Sequence, residues 1–354
     1  VNTRDADCAK VEEWCEIPRG SRRTHSTLLS QRPCTNKHWV PSQVQDFAHC
    51  ILPGVCGNKA RKLLYLATAT QLQSPIVSHG GHQSNAMLAL AALAAHRNVC
   101  FQYHTKPLPQ WLRHNPVGNL ERALKLGMDL VEHPTAEAYE HACAEACKRK
   151  GTFVAQGGAA PGAEEGVAEL AHSLSSWLSR DYPTEKNVHL LVPSGTGTTA
   201  LFLARHVPSQ LTVHAVPCVG SERYLRQQMR QLDAQSGASG IFPCVLQPPS
   251  HCQVPFGAPT RPLFSAWLDA ASTKVQLDLL YGAVAWSALS ASWLESGYPQ
   301  PRDELLLLLN CGEHQGLPSQ LARYRRKGLI TEDEERFALS KTCSSIDEVA
   351  DSTR

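Results

Sequence analysis

Residues 75–95 read Pro75-Ile76-Val77-Ser78-His79-Gly80-Gly81-His82-Gln83-Ser84-Asn85-Ala86-Met87-Leu88-Ala89-Leu90-Ala91-Ala92-Leu93-Ala94-Ala95. The apolar run Pro75–Val77 predicts a short buried strand, the paired glycines a turn, and the Ala- and Leu-rich stretch Ala86–Ala95 a helix. The same rhythm recurs along the chain. Strands are predicted over Val99–Tyr103, Thr152–Ala155, Val188–Val192, Leu211–Val216 and Leu305–Leu309. Helices are predicted over Thr135–Arg149, where Thr135 and Glu137 suit an N-terminus, and over Ala163–Leu178 and Ser221–Leu232. Most of the strands are apolar throughout, as parallel strands covered on both faces must be, so the fold class is α/β. Asp233–Pro262 is rich in Gly, Pro and Ser without periodicity and reads as a long surface excursion. No internal repeat or low-complexity tract interrupts the pattern.

The composition narrows the function. At 354 residues the chain suggests roughly two domains. With 34 basic against 32 acidic side chains it offers no polyanion-binding balance, which argues against a nucleic-acid module. Hydrophobic residues at 42% and charged ones at 19% are enough to bury a sizeable core. Apolar runs such as Leu305–Leu309 fall far short of the ~20 residues that span a bilayer, so no membrane association is expected. The thirteen cysteines are odd in number and lack paired Cys-x-x-Cys spacing, which argues against a disulfide framework and a zinc module. A reducing compartment is expected, cytoplasm or organelle stroma or matrix. The first 45 residues read as an irregular segment with five acidic side chains from Asp5 to Glu16 and no apolar core of a signal peptide. An upstream targeting segment stays open.

Three segments place reactive or anion-binding groups where open α/β sheets put their ligands, at the turn from strand to helix. In Gly57-Asn58-Lys59-Ala60-Arg61-Lys62, a Gly-Asn turn projects Lys59 beside two further cations, which favour its neutral, nucleophilic amine if the site is also desolvated. An ordinary basic helix start on the surface has the same sequence. In Ser78 to Asn85, two glycines allow close backbone approach and the helix start behind them can bind a carboxylate; the alternative is a plain helix cap by Ser84 or Asn85. His79 and His82 have no third partner at metal-ligand spacing, so no metal is expected. In Pro193-Ser194-Gly195-Thr196-Gly197-Thr198-Thr199-Ala200, backbone N–H groups and hydroxyls suit a phosphate. The loop also fits Gly-x-Gly-x-x-Ala, but no acid stands about twenty residues on, near Ala215, to bind a dinucleotide ribose. No lysine follows the glycines as a nucleotide P-loop requires. A monophosphate fits better than a dinucleotide.

An imine-forming lysine, a carboxylate pocket and a phosphate cup together suit pyridoxal 5′-phosphate and an amino acid. From about Asp46 to Tyr324 the chain resembles the D-cysteine desulfhydrase and 1-aminocyclopropane-1-carboxylate (ACC) deaminase family of fold-type II pyridoxal-phosphate enzymes. The motifs that carry the resemblance, in the family's order, are Gly57-Asn58-Lys59-x-Arg61-Lys62, Gly80-Gly81-x-Gln83-Ser84-Asn85, Gly118-Asn119-Leu120, Ser194-Gly195-Thr196-Gly197-Thr198, Asp278-x-x-Tyr281 and a segment around Cys311-Gly312.

The resemblance implies a two-domain fold like that of tryptophan synthase β, with parallel sheets and helices on both faces and the cofactor in the cleft. It places a large cofactor domain at 46–66 and 184–330, a smaller inserted domain at 67–183 and a C-terminal tail from 331. It further implies that Lys59 forms the Schiff base and moves the Cα proton, and that Asn85 hydrogen-bonds the cofactor's ring oxygen. Lys62 and the loop Ser194, Gly195, Thr196, Gly197, Thr198, Thr199 would hold the phosphate. Gln83 and Ser84, beside Asn85, would bind the substrate carboxylate or act at the reacting carbon, and Tyr281 would supply a hydroxyl. A small amino acid is the expected substrate and a homodimer the expected assembly. Two positions depart from the family pattern. Gly282 stands where relatives carry Glu or Thr, and Cys311 where a relative's Thr would meet the pyridine nitrogen; a thiol is a weak donor. The expectation is therefore β-elimination from D-cysteine to pyruvate, ammonia and sulfide. ACC deamination, a non-catalytic cofactor-binding homologue and a nicotinamide oxidoreductase using the Gly195 loop are the alternatives.

Overall fold

The computed structural model describes residues 14–15, 42–45, 57–148, 150–184, 186–272, 275, 277–295, 304–311 and 316–340. In chain order the elements are β1 (Trp14–Cys15), β2 (Ser42–Gln45), α1 (Asn58–Lys62), α2 (Leu64–Ala67), β3 (Ile76–His79), α3 (Asn85–Arg97), β4 (Phe101–Thr105), α4 (Gln110–His114), α5 (Gly118–Lys125), β5 (Met128–Glu132), α6 (Ala136–Ala146), β6 (Thr152–Val154) and α7 (Ala163–Asp181). They continue with β7 (Asn187–Ser194), α8 (Thr198–His206), β8 (Leu211–Pro217), α9 (Glu222–Gln235), β9 (Cys244–Val245), α10 (Arg261–Ser272), α11 (Gly282–Leu289), β10 (Glu304–Asn310) and α12 (Leu317–Arg326). The strands form a four-stranded sheet in the order β5-β4-β3-β6 and a six-stranded sheet in the order β1-β2-β10-β7-β8-β9. Among the described residues, the strand pairings are parallel except that of β1 with β2. The α/β class with parallel sheets is the one the apolar strand runs predict. β5 is not foreseen by that pattern: Met-Asp-Leu-Val-Glu lies at a sheet edge, where alternate positions face water and the run need not be apolar.

The described residues divide into two compact units, each with its own sheet. One is built on Asp46–Ala171 with Gln231–Ser239. Its core gathers around α3, whose residues Ala86 to Ala94 are all buried, against Ile76, Phe101, Tyr103, Leu112, Leu120 and Val154. A helix apolar on all sides is stable only when covered on all sides, which is why the Ala-rich run after Asn85 becomes the centre of this unit. The family resemblance groups residues 46–66 with the larger domain, whereas the contacts group them here. The cause is local: α1 packs on α3, and Gly166 lies against the Arg61 carbonyl so closely that no Cβ could stand there.

The other unit comprises Trp14–Gln45, His172–Arg230 and Gly240–Arg354. The Leu-rich β10 lies between β2 and β7, and its core continues through Phe264, Trp267, Ala285 and Leu321. Two strands thus come from the first 45 residues, the segment read as irregular. The excursion from Asp233 to Pro262 is largely irregular, with the short β9 paired to β8, and it exposes Ile241, Phe242 and Phe256. Past residue 331, residues 332–340 are helical, and Glu334 pairs with Arg261 at 2.5 Å.

Candidate functional site

In the first unit the chain enters α1 through Gly57, whose φ of 65° and ψ of −157° exclude a side chain at low cost. Asn58 is buried, and its Oδ1 accepts from Lys59 Nζ at 2.8 Å. Lys59 itself is half-buried. Lys62 is only 5% exposed and its amine donates to the Gly157 carbonyl at 3.2 Å, across a turn in which Gly157 and Gly158 both have φ 73°. Arg61 pairs with Glu169 at 3.7 Å. Of the three cations at this helix start, Lys62 is buried and Lys59 and Arg61 are half-buried.

The turn from β3 into α3 is built from beneath. Tyr103 Oη donates to the Gly81 carbonyl at 3.1 Å, and Thr105 Oγ1 to the Gly80 carbonyl at 3.0 Å. Gly80, at φ 145°, has no space for a Cβ, which would stand 2.7 Å from Tyr103 Oη. Burial pushes the Tyr103 phenol well above its ordinary pKa, so it stays a donor. Ser84 caps α3, its Oγ accepting from the amides of Ala86 and Met87 at 3.2 and 3.3 Å. The capping reading therefore holds, and the Ser84 side chain also hydrogen-bonds to Tyr103. Gln83 is exposed and ties down a distant loop: its Nε2 donates to the Val117 carbonyl at 2.9 Å and its Oε1 accepts from the Asn119 amide at 3.0 Å. Asn119 Nδ2 in turn donates to the Gln83 carbonyl at 3.1 Å and to Asn85 Oδ1 at 2.7 Å. Two motifs 34 to 36 residues apart are thus one construction. His79 turns to Tyr139 Oη at 2.9 Å and stacks on Phe153, and no metal-ligating cluster occurs among the described residues.

In the second unit β7 delivers Ser194 to α8. Thr196, Thr198, Thr199 and Ser194 are all buried; Ser194 Oγ donates to the Val192 carbonyl at 2.9 Å, and Thr196 Oγ1 lies 2.9 Å from Thr198 Oγ1. The first bond within the helix runs from the Leu201 amide to the Gly197 carbonyl, so the N–H groups ahead of it face out of the helix end, where an anion is favoured. Gly197, at φ 74°, is packed against Met229 and Leu225, leaving no space for a Cβ, and a Cβ at Gly195 would stand 3.4 Å from Tyr281 Oη. The loop and Tyr281 are therefore brought together. Burial pushes the Tyr281 hydroxyl up, with Cys218, Asp278 and Cys311 adding to the effect. Asp278 holds the turn before α11, its two oxygens accepting from the amides of Leu280, Tyr281 and Gly282 at 2.8, 2.7 and 3.0 Å. Cys311 is half-buried just after β10 and forms no disulfide, whereas Gly312 and Glu313 lie outside the described residues. Cys218 Sγ contacts the Tyr281 carbonyl at 3.7 Å. Neither Cys218 nor Tyr103 sits in a motif, so no local pattern signals them. Asn119 carries one, as the centre of Gly118-Asn119-Leu120.

No protein-family model and no curated protein matches the chain. Solved structures do. A structure described as the ACC deaminase homologue superposes with a TM-score of 0.61 at 16% identity, covering 82% of this chain and 88% of that one. The threonine deaminase of T.th. gives 0.53 at 15% identity over 77% and 88%. The processed form of threonine deaminase isoform 2 from Solanum lycopersicum gives 0.51 at 14% over 80% and 82%. The chain has the fold that these proteins share.

Proposed function

We propose that the chain is a pyridoxal 5′-phosphate-dependent enzyme that eliminates a leaving group from Cβ of a small amino acid, D-cysteine, giving pyruvate, ammonia and sulfide. The observation that carries the reading is the half-buried Lys59 amine held on Asn58 Oδ1 at the start of α1, in a fold shared with an ACC deaminase homologue and two threonine deaminases. The donor set supports the cofactor. The Ser194 to Thr199 turn combines buried hydroxyls with a helix start, and at Gly197 there is no space for a side chain. When bound, that cofactor would supply an electron sink for the charge that develops at the amino acid Cα.

The chain's own residues then have separable tasks. Lys59 takes the Cα proton, and Asn58 Oδ1 holds the ammonium that results. Ser84, fixed at the α3 start by the amides it caps, would help to bind the substrate carboxylate there. Asn85 would hydrogen-bond the cofactor's ring oxygen. The buried Tyr281 hydroxyl stays protonated and acts as a donor near the reacting carbon. Thiolate is a good leaving group and departs from Cβ with little assistance.

Gly282 favours D-cysteine over ACC. Opening a cyclopropane ring asks for a strong electron sink, and an acid at this position would reinforce it; here even a Cβ would meet Leu277 Cβ at 2.7 Å. The test has two steps. Borohydride reduction and peptide mapping are expected to find the pyridoxyl group on Lys59, and label on another lysine defeats the assignment. Equal concentrations of D-cysteine and ACC are then expected to give sulfide and pyruvate from the first and little 2-oxobutanoate from the second. Robust 2-oxobutanoate reverses the ranking, and label on Lys59 with none of these products leaves binding without catalysis.

A further inference from the structure

The two ends of a side-chain amide have nearly the same shape, so which end points where is set by its partners. Around Asn85 those partners are main-chain groups whose polarity is not in question. The Asn119 amide N–H can only donate, so the Gln83 atom 3.0 Å from it is Oε1, and Nε2 is left to donate to the Val117 carbonyl at 2.9 Å. The Gln83 carbonyl can only accept, so the Asn119 side-chain atom 3.1 Å from it is Nδ2. The same Nδ2 stands 2.7 Å from Asn85, which must therefore present Oδ1 to it. With Oδ1 committed, the Nδ2 of Asn85 is the end left for a ligand, and it donates to no described residue. The frame is stiff. Asn85 opens the buried helix α3, and Gly118, at φ 65°, lies so close to Gln83 that a Cβ would stand 2.8 Å from Oε1.

We propose that Asn119 is a positioning residue that fixes the Asn85 amide with its donor toward the cofactor, so that this position can stabilise an anionic oxygen and cannot accept from one. The inference rests on the reading that Asn85 contacts the ring oxygen of pyridoxal phosphate. A donor there draws charge from that oxygen and weakens its hold on the proton shared with the Lys59 linkage. Asn119 thereby sets the pH at which the bound cofactor changes its protonation state.

The test is Asn119→Asp, which keeps the shape and replaces the donor by an acceptor. The Asn85 amide then turns its Nδ2 to the new carboxylate and its Oδ1 to the cofactor. In the cofactor-loaded protein, the midpoint of the absorbance change with pH is expected to rise by about one unit, a tenfold change in acidity, and the dissociation constant for pyridoxal phosphate to rise about tenfold. Asn119→Ala, which lets the amide adopt either orientation, is expected to shift the midpoint by less. An unchanged midpoint in Asn119→Asp overturns the proposal. Loss of folding in both variants, read by circular dichroism, also overturns it, because the tie is then only structural. Failure of the underlying reading is recognised separately: wild-type protein then carries no borohydride-fixed label on Lys59, and the inference falls with it.

Discussion

Replacing Gly282 by alanine gives a change in stability whose sign is informative. Gly282 opens α11, its amide bonded to Asp278 Oδ2 at 3.0 Å, and it is buried. In an unobstructed helix, Gly→Ala stabilises by about 0.5–1 kcal/mol because the unfolded chain loses freedom. Here the added methyl would stand 2.7 Å from Leu277 Cβ, 3.2 Å from Leu277 Cδ2 and 3.3 Å from Asp278 Oδ2. The first neighbour is attached directly to the backbone and cannot swing away. Overpacking of this kind costs typically about 1–3 kcal/mol, so the net expectation is a loss of roughly 0.5–2 kcal/mol. Urea unfolding of wild type and Gly282→Ala, followed by tryptophan fluorescence, measures it through the midpoint at unchanged slope. Gly282→Glu is expected to lose several kcal/mol more, since it buries a carboxylate beside that of Asp278. A Gly282→Ala protein that unfolds at higher urea than wild type refutes the close approach, and with it the argument that an acid cannot be reinstated at this position.

Gly197→Ala is expected to lose about 2–4 kcal/mol, combining the left-handed backbone at φ 74° with a Cβ only 2.5 Å from Met229 Cγ, and a midpoint within error of wild type contradicts it. Asp278→Ala removes the acceptor of three amides around a buried turn; a loss of about 2–4 kcal/mol in the same urea assay is expected, and an effect below about 1 kcal/mol would show that water replaces the carboxylate. His214 lies 3.0 Å from His189, and burial with that neighbour lowers its pKa from 6.5 to about 4. The folded form holds it neutral while the unfolded chain takes up a proton, so its contribution is fully present above pH 6.5 and is lost as pH falls toward 4. The loss is on the order of 3 kcal/mol across that window. Acid unfolding curves of wild type and His214→Leu are expected to differ in slope there; parallel curves would remove His214 from the acid response.

Legibility in the sequence followed burial. β3, β7, β8 and β10 could be read because parallel strands inside a sheet are apolar throughout, and α3 because its small apolar run has no polar face. β5 at its edge escaped that signal, as did α4, which is a five-residue turn of helix after Pro109. α11 is hidden differently: Asp278 belongs to the motif ending at Tyr281, yet its carboxylate also holds the amides at the entry of the following helix. Within the candidate site, Gln83, Ser84 and Asn85 were found by motif, but the tie from Gln83 to Asn119 joins segments 36 residues apart and no local pattern announces it. The role of Gly282 was likewise invisible, because the sequence reports a missing acid and only the packing reports why even a methyl is excluded.

Helix α3, buried from Ala86 through Ala94, also limits how this protein can evolve. A substitution along it disturbs the core and shifts Ser84 and Asn85 at its start, so selection cannot retune the loop through the helix without a stability penalty. Gly81 is different. It is exposed, its backbone is not left-handed, and a Cβ placed there would meet nothing within 4 Å. New side chains can therefore arise two residues before Gln83 at little thermodynamic cost, so the loop can change its surface at this position while the scaffold beneath stays intact.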